Sequence, residues 1–336
     1  MAKVSVVIPA YNAHDTLADC LGSMVNQTLQ DIEIVVVNDA STDDTLEIME
    51  RCKAQFPDKI KIIDSKENLG CGGARSLGFD AATGEYIGLA DADDYVKTTM
   101  YEKLYNKAKE TGADIVDSGF YSEAKDKAML FASKDMTGIL DDSKRSKLIS
   151  SGGYLVTKIF KNELFNEPKV RMQRNMAALE DLEIFIYMFL RAKSLETVEE
   201  VFYFYRNTAG SNTKMTDLEK YYDAVYRAMK STYEICHDLP SYKGCIDAVE
   251  FMLLKIYSYG INRCLYDQIA RYGADVKNVK KYFDNVRGRE LELIKELAAL
   301  KSQIISLSYD QNSIVKERIP HLDIEIMKEC DLEHKR

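Results

Sequence analysis

Along the first hundred residues the apolar positions change period again and again. Val4 to Ile8 ("VSVVI") is a β-branched run, predicting a buried strand that ends at Pro9. Leu17, Leu21, Met24 and Val25 then recur at helical spacing, predicting an amphipathic helix from about Asp15 to Gln27. "IEIVVV" (Ile32 to Val37) is the next strand, stopped by the turn-rich "NDASTDD". Helical spacing returns in "TLEIMERCKAQF", and "IKIID" (Ile60 to Asp64) makes a third strand. A helix through "GGARSLGFDAA" leads to a fourth strand, "YIGLA", which ends on "DADD". Strands separated by helices predict an α/β fold: a mainly parallel, Rossmann-like sheet with helices on both faces.

In such a sheet, ligands bind beyond the carboxyl ends of the strands. Pro9, Tyr11 and Asn12 follow the first strand, Asn38 and Asp39 the second, Asn68 the third and the aspartates the fourth. They are therefore expected on one rim. From about Thr98 the pattern is mixed. "DIVDSGFYS" reads as a strand, and "GGYLVTKIFKNELF" as a strand or helix start that contains Lys158. "MAALEDLEIFIYMFLRA" reads as a helix with Glu180 and Asp181 near its beginning. "ETVEEVFYFYRNTAGSNT" runs into a polar loop, and its tyrosines are assigned to the core. Beyond about Asp217 the pattern turns to long, tyrosine-rich helical segments.

Composition narrows the function classes. The 336 residues carry 46% apolar and 29% charged side chains, which describes a globular chain with a substantial core. A net charge of −9 argues against non-specific nucleic-acid binding, which needs clustered Lys and Arg. Seven cysteines without a C-x-x-C pair point to a reducing compartment, and the four histidines show no zinc spacing. No signal peptide precedes Val4, and "IFIYMFL" is far shorter than the roughly 18 apolar residues a membrane span needs. A cytoplasmic protein is the simplest expectation.

Asp91, Asp93 and Asp94 crowd three carboxylates into four positions. One reading is helix capping, with Asp94 capping a helix through "TTMYEKLY". A calcium loop is excluded, because no Gly and terminal Glu stand at the required positions. The third reading is a divalent cation, Mg²⁺ or Mn²⁺, holding a diphosphate, since hard cations prefer one or two carboxylates together with phosphate oxygens. The glycines at 70, 72 and 73 do not form G-x-G-x-x-G, which disfavours a nicotinamide-dependent oxidoreductase.

Taken together, "VSVVIPAYNAHDTLADCLGSMVNQT", "IVVVNDASTDDT", "ENLGCGGARSLGF", "GEYIGLADADDY", "LED" and "FYFYRNTAGS" resemble the family 2 glycosyltransferases of the GT-A fold. The likeness covers roughly residues 3 to 212. It implies an inverting enzyme that moves a sugar from a nucleotide-sugar, usually a UDP-sugar, to a hydroxyl in surface polysaccharide or glycoconjugate assembly. The alternative is a module of the same fold that binds the nucleotide without turnover. The resemblance implies a GT-A domain over residues 1–216, with a nucleotide-binding half to about 97 and an acceptor half to about 216. A helical C-terminal extension fills 217–336.

It also implies roles. Pro9 and Tyr11 border base and ribose, and Asp39 reads the base by accepting its ring N–H. Asn38 replaces an aspartate common there, and Ser76 an asparagine. Asn68 and Arg75 approach the nucleotide, with Asp91 and Ala92 on the nucleotide side and Asp93 on the metal. The resemblance makes Asp181 the general base and sets Glu180 to orient hydroxyls. Lys158, Arg206 and Ser211 are expected to close over phosphates or acceptor. The acceptor is expected to be a glycan or lipid-linked. That leaves two readings for the C-terminal helices: packing or a dimer contact, or a peripheral membrane surface. Near-balanced charge there favours the first.

Overall fold

The computed structural model describes residues 2–208, 218–253 and 255–256. Its chain order begins β1 (Val4–Ala10), α1 (Leu17–Val25), β2 (Ile32–Asn38), α2 (Thr45–Gln55), β3 (Ile60–Asp64), α3 (Gly70–Ala81) and β4 (Tyr86–Leu89). β5 (Tyr95–Val96), α4 (Met100–Thr111), β6 (Ile115–Ser122), β7 (Lys127–Met129), β8 (Gly138–Ile139) and α5 (Asp142–Ser151) follow. β9 (Ile159–Lys161), α6 (Glu163–Asn166), α7 (Leu182–Arg191), β10 (Ser194–Tyr205) and α8 (Leu218–Cys236) complete it.

All ten strands join one sheet, whose main path runs β3-β2-β1-β4-β9-β6-β10-β5. β1 is parallel to β2 and β4, β2 to β3, and β6 to β10. β9 runs antiparallel between β4 and β6. Two reversals restore direction, so β1, β2, β3, β4, β6 and β10 all point their carboxyl ends at one rim. Helices cover the central strands on both faces, which is why β1 is buried at every position. Each of Val4, Val6, Val7 and Ile8 is fully buried. Such a side chain contributes about 1.5–3 kcal/mol, set against roughly 1–2 kcal/mol of backbone entropy that each residue loses.

Pro9 does not end β1. It pairs with Val37, and the strand continues to Ala10. The ladder that stops short is the one to β4, whose last pair is Val7 with Leu89. There Pro9 has no N–H to offer. α3 seats directly on β1 because residue 78 is glycine: a Cβ there would lie 2.2 Å from Val7 Cγ1.

The capping reading of Asp94 does not hold. α4 starts at Met100 behind Thr99, while the Asp94 carboxylate turns to the end of β10. Nor do Glu180 and Asp181 lie inside a helix; they form the turn that enters α7. α8 folds back on the main domain, and its Ala224, Ala228 and Cys236 belong to the same apolar core as the sheet. Most of the helical region expected after residue 217 lies outside the described residues.

Candidate active site

The β1–β3 end of the rim is stitched from loop to loop. Asn12, held at φ 48°, accepts the Thr42 N–H at 2.8 Å through its side-chain oxygen, and its own N–H donates to Ser41 Oγ at 3.1 Å. The Ala13 N–H donates to Thr45 Oγ1 at 2.8 Å. Asp43 accepts the N–H groups of Thr45 (3.0 Å) and His14 (3.2 Å), so it is a turn-forming residue, and Asp44 pairs with exposed His14. Asn38 turns sideways, donating to Asp64 Oδ1 at 2.8 Å and accepting the Ser41 N–H at 3.2 Å.

Asp39 joins three loops. Its N–H donates to the Ala10 carbonyl at 2.9 Å, its Oδ1 accepts the Leu69 N–H at 2.7 Å, and its carbonyl accepts Asn68 Nδ2 at 3.2 Å. Burial pushes its carboxyl up, while the backbone N–H groups of Leu69 and Gly70 pull it back. Pro9 lies buried beside it, and Tyr11 stands out from the rim, 52% exposed. The expected group Pro9, Tyr11, Asp39 and Asn68 is therefore gathered on one edge.

The next part of the rim is charged. The buried Arg75 guanidinium donates to Asp91 Oδ1 at 2.6 Å and to Glu180 Oε1 at 3.3 Å. It joins a carboxylate after β4 to one that precedes α7. The glycines of "GCGG" make this approach possible: a Cβ at Gly72 would lie 2.3 Å from the Gln173 carbonyl and 3.1 Å from Glu180 Cβ. These small residues seat the chain's own 172–180 segment against α3. Desolvation and the neighbouring Glu180 raise Asp181 to about 6, with Arg75 pulling the other way.

Ala92 is buried between two aspartates of different fate. Burial and the charge of Asp91 raise the Asp93 carboxyl, whose Oδ2 accepts the Thr208 hydroxyl at 2.8 Å. Asp94 is buried, and its Oδ2 accepts the Tyr203 hydroxyl at 2.6 Å while Oδ1 accepts the Arg206 N–H at 2.8 Å. Desolvation, then Asp91, push Asp94 up to about 8. The Tyr203 oxygen also accepts the Asp91 N–H at 3.1 Å.

Tyr203 and Thr208 are not among the residues expected here, and Asp94, expected on this rim with the other aspartates, carries no ligand role in the sequence reading. The hydroxyl on an apolar run at Tyr203 was the one available signal. Arg206 sits at the site through its backbone N–H; its guanidinium reaches Asp19 Oδ2 at 3.1 Å and lies 5.0 Å over the Tyr95 ring.

Lys158 is a correction. It is buried, and its ammonium meets Asp117 Oδ1 at 2.9 Å, the Tyr154 carbonyl at 2.9 Å and Thr157 Oγ1 at 3.0 Å. These take up all three of its N–H donors, leaving none for a phosphate. Ser211 lies outside the described residues.

The donor set suits a hard cation. Asp91 is paired with Arg75, whereas Asp93 is half-buried, and desolvation followed by the charge of Asp91 raises its carboxyl, with Arg206 pulling the other way. Among the described residues no group of three or more His, Cys, Asp or Glu could hold a metal, so ligand oxygens would have to complete the shell.

The family model for glycosyl transferase family 2 matches residues 5–177. The uncharacterized glycosyltransferase EpsJ of Bacillus subtilis is 31% identical over 222 residues, covering 63% of this chain and 63% of EpsJ. This chain thus spans less than two thirds of that relative's length. Among solved structures, Staphylococcus aureus TarS 1–349 in complex with UDP-GlcNAc superposes with a TM-score of 0.62 at 21% identity, covering 78% of this chain and 72% of that one. A Pyrobaculum calidifontis mannosyltransferase in complex with GDP-Man and Mn²⁺ gives 0.55 at 16% identity, covering 92% and 88%. Both likenesses are of fold, and the fold is GT-A.

Proposed function

For this chain, which belongs to glycosyl transferase family 2, we propose an inverting, metal-assisted transfer of a sugar from a nucleotide-sugar to an acceptor hydroxyl. A UDP-sugar is the first choice of donor, and a glycan or lipid-linked acceptor of surface polysaccharide or glycoconjugate assembly the acceptor class. The observation that carries the reading is Arg75, which ties Asp91 at 2.6 Å to Glu180 at 3.3 Å and so brings the donor carboxylates beside the acid pair.

In this reading Asp39 and Asn68 receive the base, with Pro9 and Tyr11 against base and ribose. Asp93, with Asp91 beside it, would hold Mg²⁺ or Mn²⁺, which when bound supplies positive charge to the leaving diphosphate. The UDP-GlcNAc complex of TarS and the Mn²⁺ complex of the mannosyltransferase support that pairing of ligands. Asp181 accepts the acceptor's hydroxyl proton as the sugar carbon develops positive charge. A carboxyl raised to about 6 suits this role, being ionised at neutral pH yet more basic than an ordinary aspartate. Arg75 holds Glu180 in place, and the charge of Glu180 beside it helps raise the Asp181 carboxyl.

The test is a product assay: a panel of UDP-sugars with Mn²⁺, with and without glycan acceptors, read by UDP release and by mass spectrometry of the acceptor. Transfer with inversion at the anomeric carbon is expected. UDP binding without turnover in any combination would reduce the protein to a nucleotide-binding module.

A further inference from the structure

The segment that leads into Glu180 and Asp181 is held by α8. None of residues 171–181 lies in a helix or strand. Two of them, Asn175 (φ 53°) and Leu179 (φ 63°), take the left-handed backbone, which a leucine adopts only where its surroundings impose it. Arg227 of α8 reaches the first of these bends. Its Nη2 donates to the Arg174 carbonyl at 2.7 Å, its Nη1 to the Asn175 carbonyl at 3.0 Å and its Nε to Gln173 Oε1 at 3.3 Å. Gln173 Nε2 returns a bond to the Arg227 carbonyl at 3.1 Å. At the second bend Leu179 packs against the buried Tyr221 and Val225 of the same helix.

The segment that α8 grips is also seated in the site. The Gln173 N–H donates at 3.0 Å to Glu183 Oε1, in the first turn of α7 and two positions past Asp181. The Gln173 carbonyl and Glu180 Cβ lie against the same point of α3, Gly72. The Asn175 N–H donates to the Leu69 carbonyl at 2.7 Å, and the Leu69 N–H is the one held by Asp39. Residues 173–175 thus touch α8 on one side and the neighbours of the acid pair on the other.

We propose that Arg227 is a positioning residue for the reaction: through Gln173, Arg174 and Asn175 it fixes the backbone that sets the Glu180–Asp181 pair. The inference rests on the glycosyl-transfer reading and extends the working unit of that reading to α8. The guanidinium fork spans two successive carbonyls and a side-chain amide at once, which a single ammonium does not match. Its ion partner on α8, Asp223, lies at 3.6 Å and is 65% exposed, so the contribution of Arg227 is geometry more than charge. A general base must stand within hydrogen-bond reach of the proton it takes, and a misplacement of about 1 Å costs on the order of 10²-fold in rate.

Arg227→Met keeps the stem and removes the fork, whereas Arg227→Lys keeps a cation without it. Hydrogen-exchange mass spectrometry on the full chain reads the segment. UDP release from UDP-GlcNAc, UDP-glucose and UDP-galactose with Mn²⁺, with and without glycan acceptors, reads turnover; calorimetric titration of UDP with Mn²⁺ reads the donor site. In Arg227→Met, exchange should rise at 173–181 and not at 38–42, and kcat should fall about tenfold or more while UDP affinity stays within about twofold. Arg227→Lys should fall between the two. Unchanged exchange at 173–181, faster exchange with unchanged kcat, or equal losses in kcat and UDP affinity would each overturn the positioning role. Should circular dichroism show Arg227→Met unfolded, a folded Arg227→Lys with wild-type kcat overturns it equally. A wild type that releases no UDP from any donor removes the glycosyl-transfer reading and this role with it; wild-type turnover beside an unaffected variant removes the role alone.

Discussion

At the β1–β3 end of the rim, loops hold one another through backbone groups, as Asn12 holds Thr42 and Asp39 holds Leu69. At the β4–β10 end they hold one another through buried charge and hydroxyls, as Arg75 holds Asp91 and Glu180, and Tyr203 holds Asp94. The first kind of tie ends on backbone N–H groups, which pull the Asp39 carboxyl back against the burial that raises it. The second places carboxyls in settings that raise them, Asp94 to about 8 and Asp181 to about 6. A recognition surface suits the first end, and charge-dependent chemistry suits the second.

This contrast can be broken by substitution. The largest effect is expected at Asp181. Asp181→Asn should lower transfer by about 10²–10⁴-fold, the range for loss of a general base. In the wild type, kcat/KM should fall as pH drops through about 6, because the base must be ionised and its carboxyl is raised to that value. An acid limb that stayed near pH 4, or an Asn variant with full activity, would move the base elsewhere.

Arg75→Ala should act on both the fold and the site. It leaves Asp91 and Glu180 facing each other without a counter-charge, and removal of one partner from a buried pair costs about 3–5 kcal/mol. With Asp91 29% and Glu180 17% exposed, solvent screening places the expected loss near or below the lower figure. Chemical denaturation measures it, and loss of nucleotide binding should accompany it.

Lys158→Met separates support from site. The Lys158–Asp117 pair is almost wholly buried at 2.9 Å, so breaking it should destabilise the fold by about 3 kcal/mol or more. The folded variant should keep its KM for donor. A raised donor KM at unchanged stability would return Lys158 to the phosphates. The smallest effect is expected for Thr208→Val, which deletes one hydroxyl donor to Asp93. A loss of about 1 kcal/mol, or roughly fivefold in Mn²⁺-dependent UDP affinity, is the size of a single hydrogen bond.

The same contrast explains what could be read along the chain. Asp39, Asn68 and Asp91 each stand beyond a strand whose apolar run is plain, and Pro9 stands near the end of one, so topology alone collects them. Arg75 meets Glu180 across 105 positions, and Tyr203 meets Asp94 across 109. Those meetings depend on β9 running against its neighbours and on β10 returning beside β6 and β5, which no local pattern encodes. Lys158 misled because a lysine at the start of a strand near the rim reads as a phosphate ligand. Its partner Asp117 lies inside another apolar run, where a buried charge announces itself only once the two strands are side by side. Tyr203 looked like core and is core, yet its hydroxyl is the atom that matters.

The account depends most on Asp93 acting with a cation to hold a nucleotide diphosphate. Calorimetric titration of UDP into the protein with Mn²⁺, then with chelator, and then into Asp93→Asn with Mn²⁺ tests this directly. One saturable site is predicted, weakened roughly tenfold or more by either change. Equal affinity in all three titrations, or no binding in the first, would contradict it.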